Sequence, residues 1–112
     1  MDSSTEDTKA TDKWIIEMVE VGQVGEYTSH IVDLTGRTHI FYFDHLYGNL
    51  KHAKKGTDGW DIETVDQEGT VGQYLSTAGD QTGRLYVSYR DQGKNRLKMA
   101  MFDGGVDRKS GG

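Results

Sequence analysis

The sequence reads Trp14-Ile15-Ile16-Glu17-Met18-Val19 near its start and Trp60-Asp61-Ile62-Glu63-Thr64-Val65 46 residues later. A second pattern follows each copy, as Gly22-Gln23-Val24-Gly25-Glu26-Tyr27-Thr28-Ser29 and as Gly69-Thr70-Val71-Gly72-Gln73-Tyr74-Leu75-Ser76. The match continues through Asp33-Leu34-Thr35-Gly36-Arg37 and Asp80-Gln81-Thr82-Gly83-Arg84. A fixed period of this length predicts stacked structural units rather than one irregular domain.

The composition is polar and acidic. The 112 residues carry a formal net charge of -5, and 34% of them are hydrophobic. This balance argues against nucleic acid or an anionic membrane surface as a partner, since both favour basic patches. The chain lacks the run of about 18 apolar residues that a membrane helix needs. It has no cysteine, which excludes a disulfide framework and thiolate chemistry.

Short apolar runs, broken by Gly, Asn and Asp about every ten residues, predict an all-β protein. The expected strands are 14–21, 29–34, 38–44, 50–55, 60–66, 76–79, 85–90 and 97–102. Four short strands per repeat are typical of a β-propeller blade. In strand 38–44, Ile40 and Tyr42 point to one side and Phe41 and Phe43 to the other. A strand that is apolar on both faces is expected between two layers.

Polar segments flank the repeats. Residues 1–13 are predicted to form a disordered tail, and residues 103–112 a flexible tail. Between them we expect a two-blade segment over 14–102, with repeats at about 14–59 and 60–102. The first segment lacks the apolar stretch of a secretory signal, which predicts either a cytoplasmic protein or a mature or engineered chain.

The repeats begin out of phase with the blades. By position, strand 14–21 is the fourth strand of a blade whose first three strands are missing, and the last blade lacks its fourth strand. Two blades cannot close a ring, and repeat arrays need about three units for stability. We therefore expect strand exchange between copies in a head-to-tail cyclic homo-oligomer. A trimer with six blades is favoured, and a tetramer with eight blades is the alternative.

The ordered motifs resemble the blade repeats of bacterial and archaeal surface-protein β-propellers, which are sialidase-like in shape. The shared patterns are Trp-x-Ile-Glu-x-Val, Gly-x-Val-Gly-x-Tyr-x-Ser and Leu-Lys-x-Ala, and the resemblance covers residues 14–101. It implies a strand-swapped propeller fold and an extracellular or cell-surface location. It implies no single function, because propellers host many. The nearest functional analogy is to small two-blade lectins that trimerise into six-bladed rings.

Six residues are candidates for ligand binding in such a ring. Aromatic rings can stack on a sugar, and an arginine can bind a carboxylate bidentately. Packing between blades, capping of backbone groups and solvated turn positions are the structural alternatives for the same residues. The candidates are Trp14, Trp60, Tyr27, Tyr74, Arg37 and Arg84.

Several carboxylates fit structural roles instead. Asp33 and Asp80 match a turn signature in which the side chain accepts hydrogen bonds from backbone N–H groups. Asp44 and Asp91 recur in the two repeats and would have like surroundings, whereas the acid and nucleophile of a glycosidase need unlike pKa values. We therefore predict no catalytic residue and favour structural hydrogen bonds for this pair.

Histidine occurs only in the first repeat, at His30, His39, His45 and His52. A metal site needs imidazoles that converge, and residues on alternating strands need not do so. We predict no metal and no cofactor. His30 and His52 are expected at the surface or in contacts between blades.

Near-identical pockets around a ring suit multivalent binding, where avidity exceeds the affinity of one site. We therefore predict a non-catalytic, lectin-like binding or scaffold module, with carbohydrate as the candidate ligand. An engineered or fragmentary propeller with a purely structural, assembly role is the alternative. A sialidase-like glycoside hydrolase is the remote alternative.

Overall fold

The computed structural model describes residues 8–10 and 14–103. Within these residues the protein is all-β and contains no helix, which confirms the predicted fold class. The strands are β1 (Thr8–Ala10), β2 (Ile15–Glu17), β3 (Val24–Val32), β4 (Thr38–Asp44), β5 (Asn49–Lys55), β6 (Trp60–Asp66), β7 (Val71–Gly79), β8 (Leu85–Asp91) and β9 (Arg96–Phe102).

The strands form antiparallel sheets in chain order. Sheet 1 has four strands in the order β3-β4-β5-β6, and sheet 2 has three in the order β7-β8-β9. Strands β1 and β2 form a separate antiparallel pair. Four strands in sheet 1 and three in sheet 2 agree with the predicted phase of the repeats. That these sheets are propeller blades stays a prediction.

Each sheet turns from its first to its second strand in the same way. The Asp33 carboxylate accepts hydrogen bonds from the backbone N–H groups of Thr35 and Arg37, at 2.9 and 3.0 Å. Asp80 makes the equivalent pair of bonds in sheet 2. These contacts confirm the predicted turn chemistry, in which a short acidic side chain satisfies the N–H groups of a tight turn.

The first strand of each sheet is longer than predicted. Strand β3 begins at Val24 and β7 at Val71, whereas the sequence placed their starts at residues 29 and 76. Gly25 and Gly72 have φ values of +98° and +109°, and the ladder shifts register just after them. The glycines therefore mark β-bulges inside continuous strands, and the prediction that the strands begin after them is wrong.

The N-terminal part of the chain differs in two respects. The strand predicted over 14–21 is shortened to β2, at Ile15–Glu17. Residues 8–10, inside the range predicted to be a tail, form β1 and pair with it. The remaining residues of the two predicted tails, apart from Asp103, lie outside the described residues.

The core lies between sheet 1 and sheet 2. Phe41 and Leu50 from sheet 1 meet Val71, Val87 and Tyr89 from sheet 2, and each of these side chains is at most 3% exposed. Burying a side chain of this size contributes about 1.5–3 kcal/mol. The two repeats are therefore held face to face by apolar packing.

Large apolar side chains stay exposed at the two ends of this stack. Before sheet 1, segment 14–18 exposes its apolar side chains by about half or more, from 48% for Met18 to 73% for Trp14. On β9, Leu97, Met99 and Met101 are 82%, 67% and 51% exposed. Contiguous apolar surface of this kind marks an interaction site in soluble proteins.

Candidate functional site

A carboxylate at the end of sheet 1 anchors sheet 2. Asp66, the last residue of β6, accepts a hydrogen bond from the Tyr89 hydroxyl at 2.7 Å. The Lys98 ammonium lies 2.6 Å from the same carboxylate oxygen. Charge-assisted hydrogen bonds of this length are about twice as strong as neutral ones, so this contact fixes the packing of one sheet on the next.

The same contact occurs on the other face of sheet 1. Glu20 corresponds to Asp66 in the repeat, and it accepts a hydrogen bond from the Tyr42 hydroxyl at 2.5 Å. The Lys51 ammonium donates to its second oxygen at 2.8 Å. The segment that contains Glu20 therefore lies against sheet 1 as β6 lies against sheet 2.

These contacts shift the titration of their members. Burial raises the pKa of Tyr42 well above its usual range, and the Glu20 carboxylate adds to the effect. Burial would raise the pKa of Glu20, but the hydrogen bonds from Lys51 and Tyr42 outweigh it and lower that pKa. Tyr89 and Asp66 shift in the same two directions. Both carboxylates are therefore ionised acceptors at neutral pH.

Glu17 also holds the N-terminal segment on sheet 1. It accepts hydrogen bonds from the Lys55 ammonium and from the Trp60 indole N–H, the latter at 3.1 Å. The Lys55 nitrogen lies 5.3 Å from the centre of the Trp60 ring. Trp60 thus has a polar partner on its nitrogen and a cation over its face.

A groove of about 440 Å³ remains between this segment and sheet 1. Its walls are mainly apolar and include Val19, Val24, Gly25 and Ile40. The equivalent space on sheet 2 is filled by sheet 1: a Cβ on Gly72 would lie 2.9 Å from the Leu50 Cα. At Gly25 nothing lies within 4 Å of that position. The two faces have the same shape, but only one is covered.

The bulges bring two predicted site residues together. The rings of Tyr27 and Tyr74 lie 4.8 Å apart, and the neighbouring Tyr74 side chain raises the pKa of Tyr27. Tyr74 has a φ of +53° and is 67% exposed. Left-handed backbone at a bulky residue is strained and often marks a functional position.

The other predicted site residues do not join this pair. Trp14 is 73% exposed at the start of the N-terminal segment. Trp60 donates a hydrogen bond to Glu17 and lies under the Lys55 ammonium. Arg37 follows the first turn of sheet 1 and is exposed. Arg84 follows the matching turn of sheet 2, where its guanidinium donates to Asp103 at 3.2 Å. The structure brings together only the two tyrosines.

Asp44 and Asp91 are bound to their own turns. Asp44 accepts a hydrogen bond from the Leu46 N–H at 3.0 Å. Asp91 accepts one from the Lys94 N–H and forms an ion pair with Arg96, which lowers the pKa of Asp91. These bonds match the structural role predicted for the pair.

Two histidines lie buried in sheet 1 and are hydrogen-bonded to each other. His39 and His52 are 0% and 2% exposed, and His39 Nδ1 lies 2.8 Å from His52 Nε2. His52 was expected at the surface or in a contact between repeats. It is not at the surface, and its ring lies 4.9 Å from Phe102 of sheet 2. In the register of β4 and β5, Phe41 pairs with His52, so His39 lies diagonally opposite on the same face, within reach of a long side chain.

Carboxylates lie at both ends of this histidine pair. His39 Nε2 is 2.7 Å from Asp33 Oδ2, and His52 Nδ1 is 2.8 Å from Glu63 Oε2. The described residues contain no cluster of three His, Asp or Glu side chains that could hold a metal ion. Nor does the part of the chain described here contain a helix that could cross a membrane.

Comparisons of this chain with models of protein families, with curated proteins and with solved structures find no match. Function is therefore inferred from the contacts of this chain alone.

Sequence reasoning missed Glu20, Lys51 and the histidine pair. Glu20 and Lys51 could have been found from the repeat, because Asp66 and Lys98 occupy the matching positions. The histidine pair has no counterpart in the second repeat, and only the register of β4 and β5 reveals it.

Proposed function

We propose that this chain is one segment of a non-catalytic β-propeller ring, built from copies of itself, that presents repeated binding surfaces. One observation carries the proposal: the contact of Glu20 with Tyr42 and Lys51 repeats the contact of Asp66 with Tyr89 and Lys98. The first contact belongs to segment 14–20, whose strand β2 pairs only with β1 among the described strands.

The two ends of the chain are complementary. Sheet 2 has three strands and an open edge at β9, whereas segment 14–20 sits where the fourth strand of a preceding sheet would lie. A copy that supplies its β7, β8 and β9 to this segment completes a four-stranded sheet. The same addition covers the open edge, which would otherwise promote aggregation.

The register of sheet 1 specifies this pairing. In sheet 1, His52 of β5 pairs with Glu63 of β6. Met99 and Glu17 occupy the matching positions in β9 and the N-terminal segment. We therefore expect Glu17 of one copy opposite Met99 of the next.

The pairing of β2 with β1 is compatible with this arrangement. A strand has two hydrogen-bonding edges, and β1 occupies one edge of β2. Among the described strands β2 has no other hydrogen-bonded neighbour. Its second edge is available to β9 of another copy.

The groove on sheet 1 supplies the packing surface. Leu50 covers Gly72 inside the chain, and Leu97 occupies the position of Leu50 in the second repeat. In the assembled ring Leu97 of one copy covers Gly25 of the next, which removes its exposed surface from water. Because the contact is head-to-tail, it continues until the ring closes.

The molar mass in solution tests the assembly. Light scattering is expected to give three times the 12.5-kDa chain mass, for six sheets, and four times that mass would indicate eight. A monomer at micromolar concentration refutes the proposal.

Cysteine cross-linking tests the register. The natural chain has no cysteine, so the variant E17C/M99C introduces the only two. Mild oxidation is expected to give covalent oligomers. The control E17C/R96C keeps the second thiol on β9 but three residues along the edge, about 10 Å away at 3.4 Å per residue, and should remain uncross-linked. Equal cross-linking in both variants contradicts the register.

The binding surfaces are the tyrosine pairs at the bulges. Tyr27 and Tyr74 present aromatic faces and hydroxyls side by side, a combination that suits a sugar ring. Closure of the ring repeats the pair around the axis and gives the multivalency of a lectin.

A glycan array with the wild type and Y74A tests this second step, since Tyr74 is exposed and its loss leaves the core intact. Signals that disappear in Y74A support carbohydrate binding. A blank array with an intact ring assigns the chain a purely structural, assembly role.

A further inference from the structure

The geometry points to a proton-binding site in sheet 1, formed by Asp33, His39, His52 and Glu63, that closes when one extra proton is bound and couples pH to the packing of sheet 2. The site lies outside the tyrosine pair and the assembly contacts, and it does not depend on the proposed function. Three hydrogen bonds of 2.7–2.8 Å join the four side chains in a row.

The number of protons follows from the number of hydrogen bonds. Each of the three bonds needs one proton. Asp33 is an ionised acceptor, because hydrogen bonds from Thr35, His39 and Arg37 outweigh the effect of burial and hold its pKa well below the usual range. His39 Nε2 must therefore be protonated and donate a hydrogen bond to the Asp33 carboxylate.

The Glu63 side chain is 58% exposed, and an ionised carboxylate can only accept. His52 Nδ1 then carries a second proton. Two neutral imidazoles have one N–H each, so both protons are already used. Two bare lone pairs would face each other across the 2.8 Å between His39 and His52. The observed distance thus requires a third proton, shared by the pair as one imidazolium.

The surroundings accommodate that charge. Phe41 and Phe102 lie 4.7 and 4.9 Å from the His52 ring, and aromatic faces attract cations. Of the charged groups nearby, Asp33 on the β3–β4 turn and Glu63 on β6 favour the cation, and so does Asp61, which faces His52 across a small pocket.

Three contributions oppose the cation. Burial is the largest, and repulsion from His39 and from Lys54, on the same strand as His52, adds to it. Together they lower the pKa of His52 more than Glu63 raises it. On β9 the residue that meets the pair is the uncharged Phe102, and the Arg84–Asp103 ion pair follows it at the edge of sheet 2.

Phe102 connects the site to sheet 2. It is the last residue of β9, and its ring lies 5.3 Å from His39 and 4.9 Å from His52. Opening of the hydrogen-bonded row moves the rings on which Phe102 packs. The proton therefore controls a contact between the sheets.

The direction of the pH effect is fixed. Binding of the third proton favours the closed row, which is complete below the midpoint and is lost as the pH rises through it. Each pH unit above the midpoint lowers the ratio of closed to open sites about tenfold. Burial lowers the pKa of His52 in the closed row. In the open row the rings stay buried but lose their hydrogen bonds to the carboxylates, so their pKa falls further and the proton favours the closed row. The midpoint is therefore expected below the ordinary imidazole value of about 6.5.

Nitrogen NMR of the full-length protein from pH 4 to 9 tests the site. We expect the rings of His39 and His52 to titrate together, with one midpoint and one proton, while the Phe102 ring signals move at the same midpoint. The exposed His30 and His45, which lie outside the row, serve as internal references.

Two variants separate this role from simple packing. E63Q keeps a hydrogen-bond acceptor but removes a charge, and is expected to lower the shared midpoint by about one unit. The double variant H39Y/H52M introduces the residues of the second repeat, where Asp80 accepts from the Tyr86 hydroxyl at 2.8 Å. It should fold and abolish the pH dependence of the Phe102 signals.

Three results would overturn the inference. The first is independent titration of the two rings. The second is two neutral rings across the whole range. The third is a midpoint in E63Q equal to that of the wild type. A Phe102 shift that persists in H39Y/H52M would remove the coupling to sheet 2.

Discussion

Leu50 and Leu97 occupy one position in the two repeats, yet their surroundings in a single chain are opposite. Leu50 is 0% exposed and packs on Gly72, whereas Leu97 is 82% exposed. If copies assemble as proposed, Leu97 becomes buried on Gly25. The substitution Leu97→Ala therefore distinguishes a chain that stands alone from one that is completed by a neighbour.

The expected magnitudes are well separated. Leu→Ala at a buried position costs about 2–5 kcal/mol, and Leu50→Ala should destabilise the fold by that amount. At an exposed position the cost is within about 0.5 kcal/mol, which is the expectation for Leu97→Ala in an isolated chain. In a ring, a loss of about 2 kcal/mol per contact weakens association roughly 30-fold, since each 1.4 kcal/mol is tenfold.

The assay is a dilution series from micromolar to nanomolar concentration, with the mass distribution measured by sedimentation or mass photometry. Leu97→Ala should shift dissociation to higher concentration and leave the circular dichroism spectrum of the chain unchanged. Val32→Ala is a matched control, because Val32 is also exposed at 56% and lies outside the proposed contact.

Dissociation of the Leu97→Ala variant at the wild-type concentration would refute the reasoning. An equal shift of the dissociation concentration in Val32→Ala would also refute it, because the effect would then come from any loss of exposed apolar surface and not from the proposed contact.

Three further predictions concern the chain itself. Tyr89→Phe removes the hydrogen bond to Asp66 and should lower the free energy of unfolding by about 1.5–3 kcal/mol in urea titration; an unchanged midpoint would contradict it. Gly72→Ala places a Cβ 2.9 Å from the Leu50 backbone and should cost about 1–3 kcal/mol, with a stable variant as the contrary outcome. The pKa of Asp33 is lowered in the folded chain, so its contribution to the free energy of unfolding is present above the unfolded value of about 3.9 and is lost as the pH falls further. Acid denaturation monitored by fluorescence should therefore begin below about pH 4. Asp33→Asn should remove part of that pH dependence.

The repeated contacts also explain how a lean sequence forms a folded object. Only 34% of the residues are hydrophobic, and the core between the sheets is a small set of side chains. The carboxylate–tyrosine–lysine contact supplements it with charge-assisted hydrogen bonds on both faces of sheet 1. Segment 14–20 is thus fixed on a sheet that it does not join by strand pairing.

Local residue patterns were enough to predict the all-β class and the succession of strands from β3 to β9. Strand signals are local, because alternation of apolar residues and the turn motif that begins with Asp33 or Asp80 act over a few neighbouring residues. Each of these strand and turn signals occurs twice, once in each repeat, which strengthens the prediction. For the same reason the turn chemistry and the structural bonds of Asp44 and Asp91 were predictable.

The starts of the inner strands were not predictable in this way. Gly25 and Gly72 indicate either a turn or a bulge, and both need positive φ. The choice depends on whether a second strand continues to pair beyond the glycine, and here β4 and β8 do. That information lies in residues about 20 positions away along the chain.

The histidine row and the match between Glu20 and Asp66 depend on contacts between strands and layers, which became visible in the folded chain. His39 and His52 meet because the register of two strands sets them diagonally on one face, and a shift of one residue would send them to opposite faces. Glu20 meets Tyr42 and Lys51 because its segment crosses a sheet to which it is not paired. Contacts between layers depend on distances through space, and a linear pattern of residues does not contain those distances.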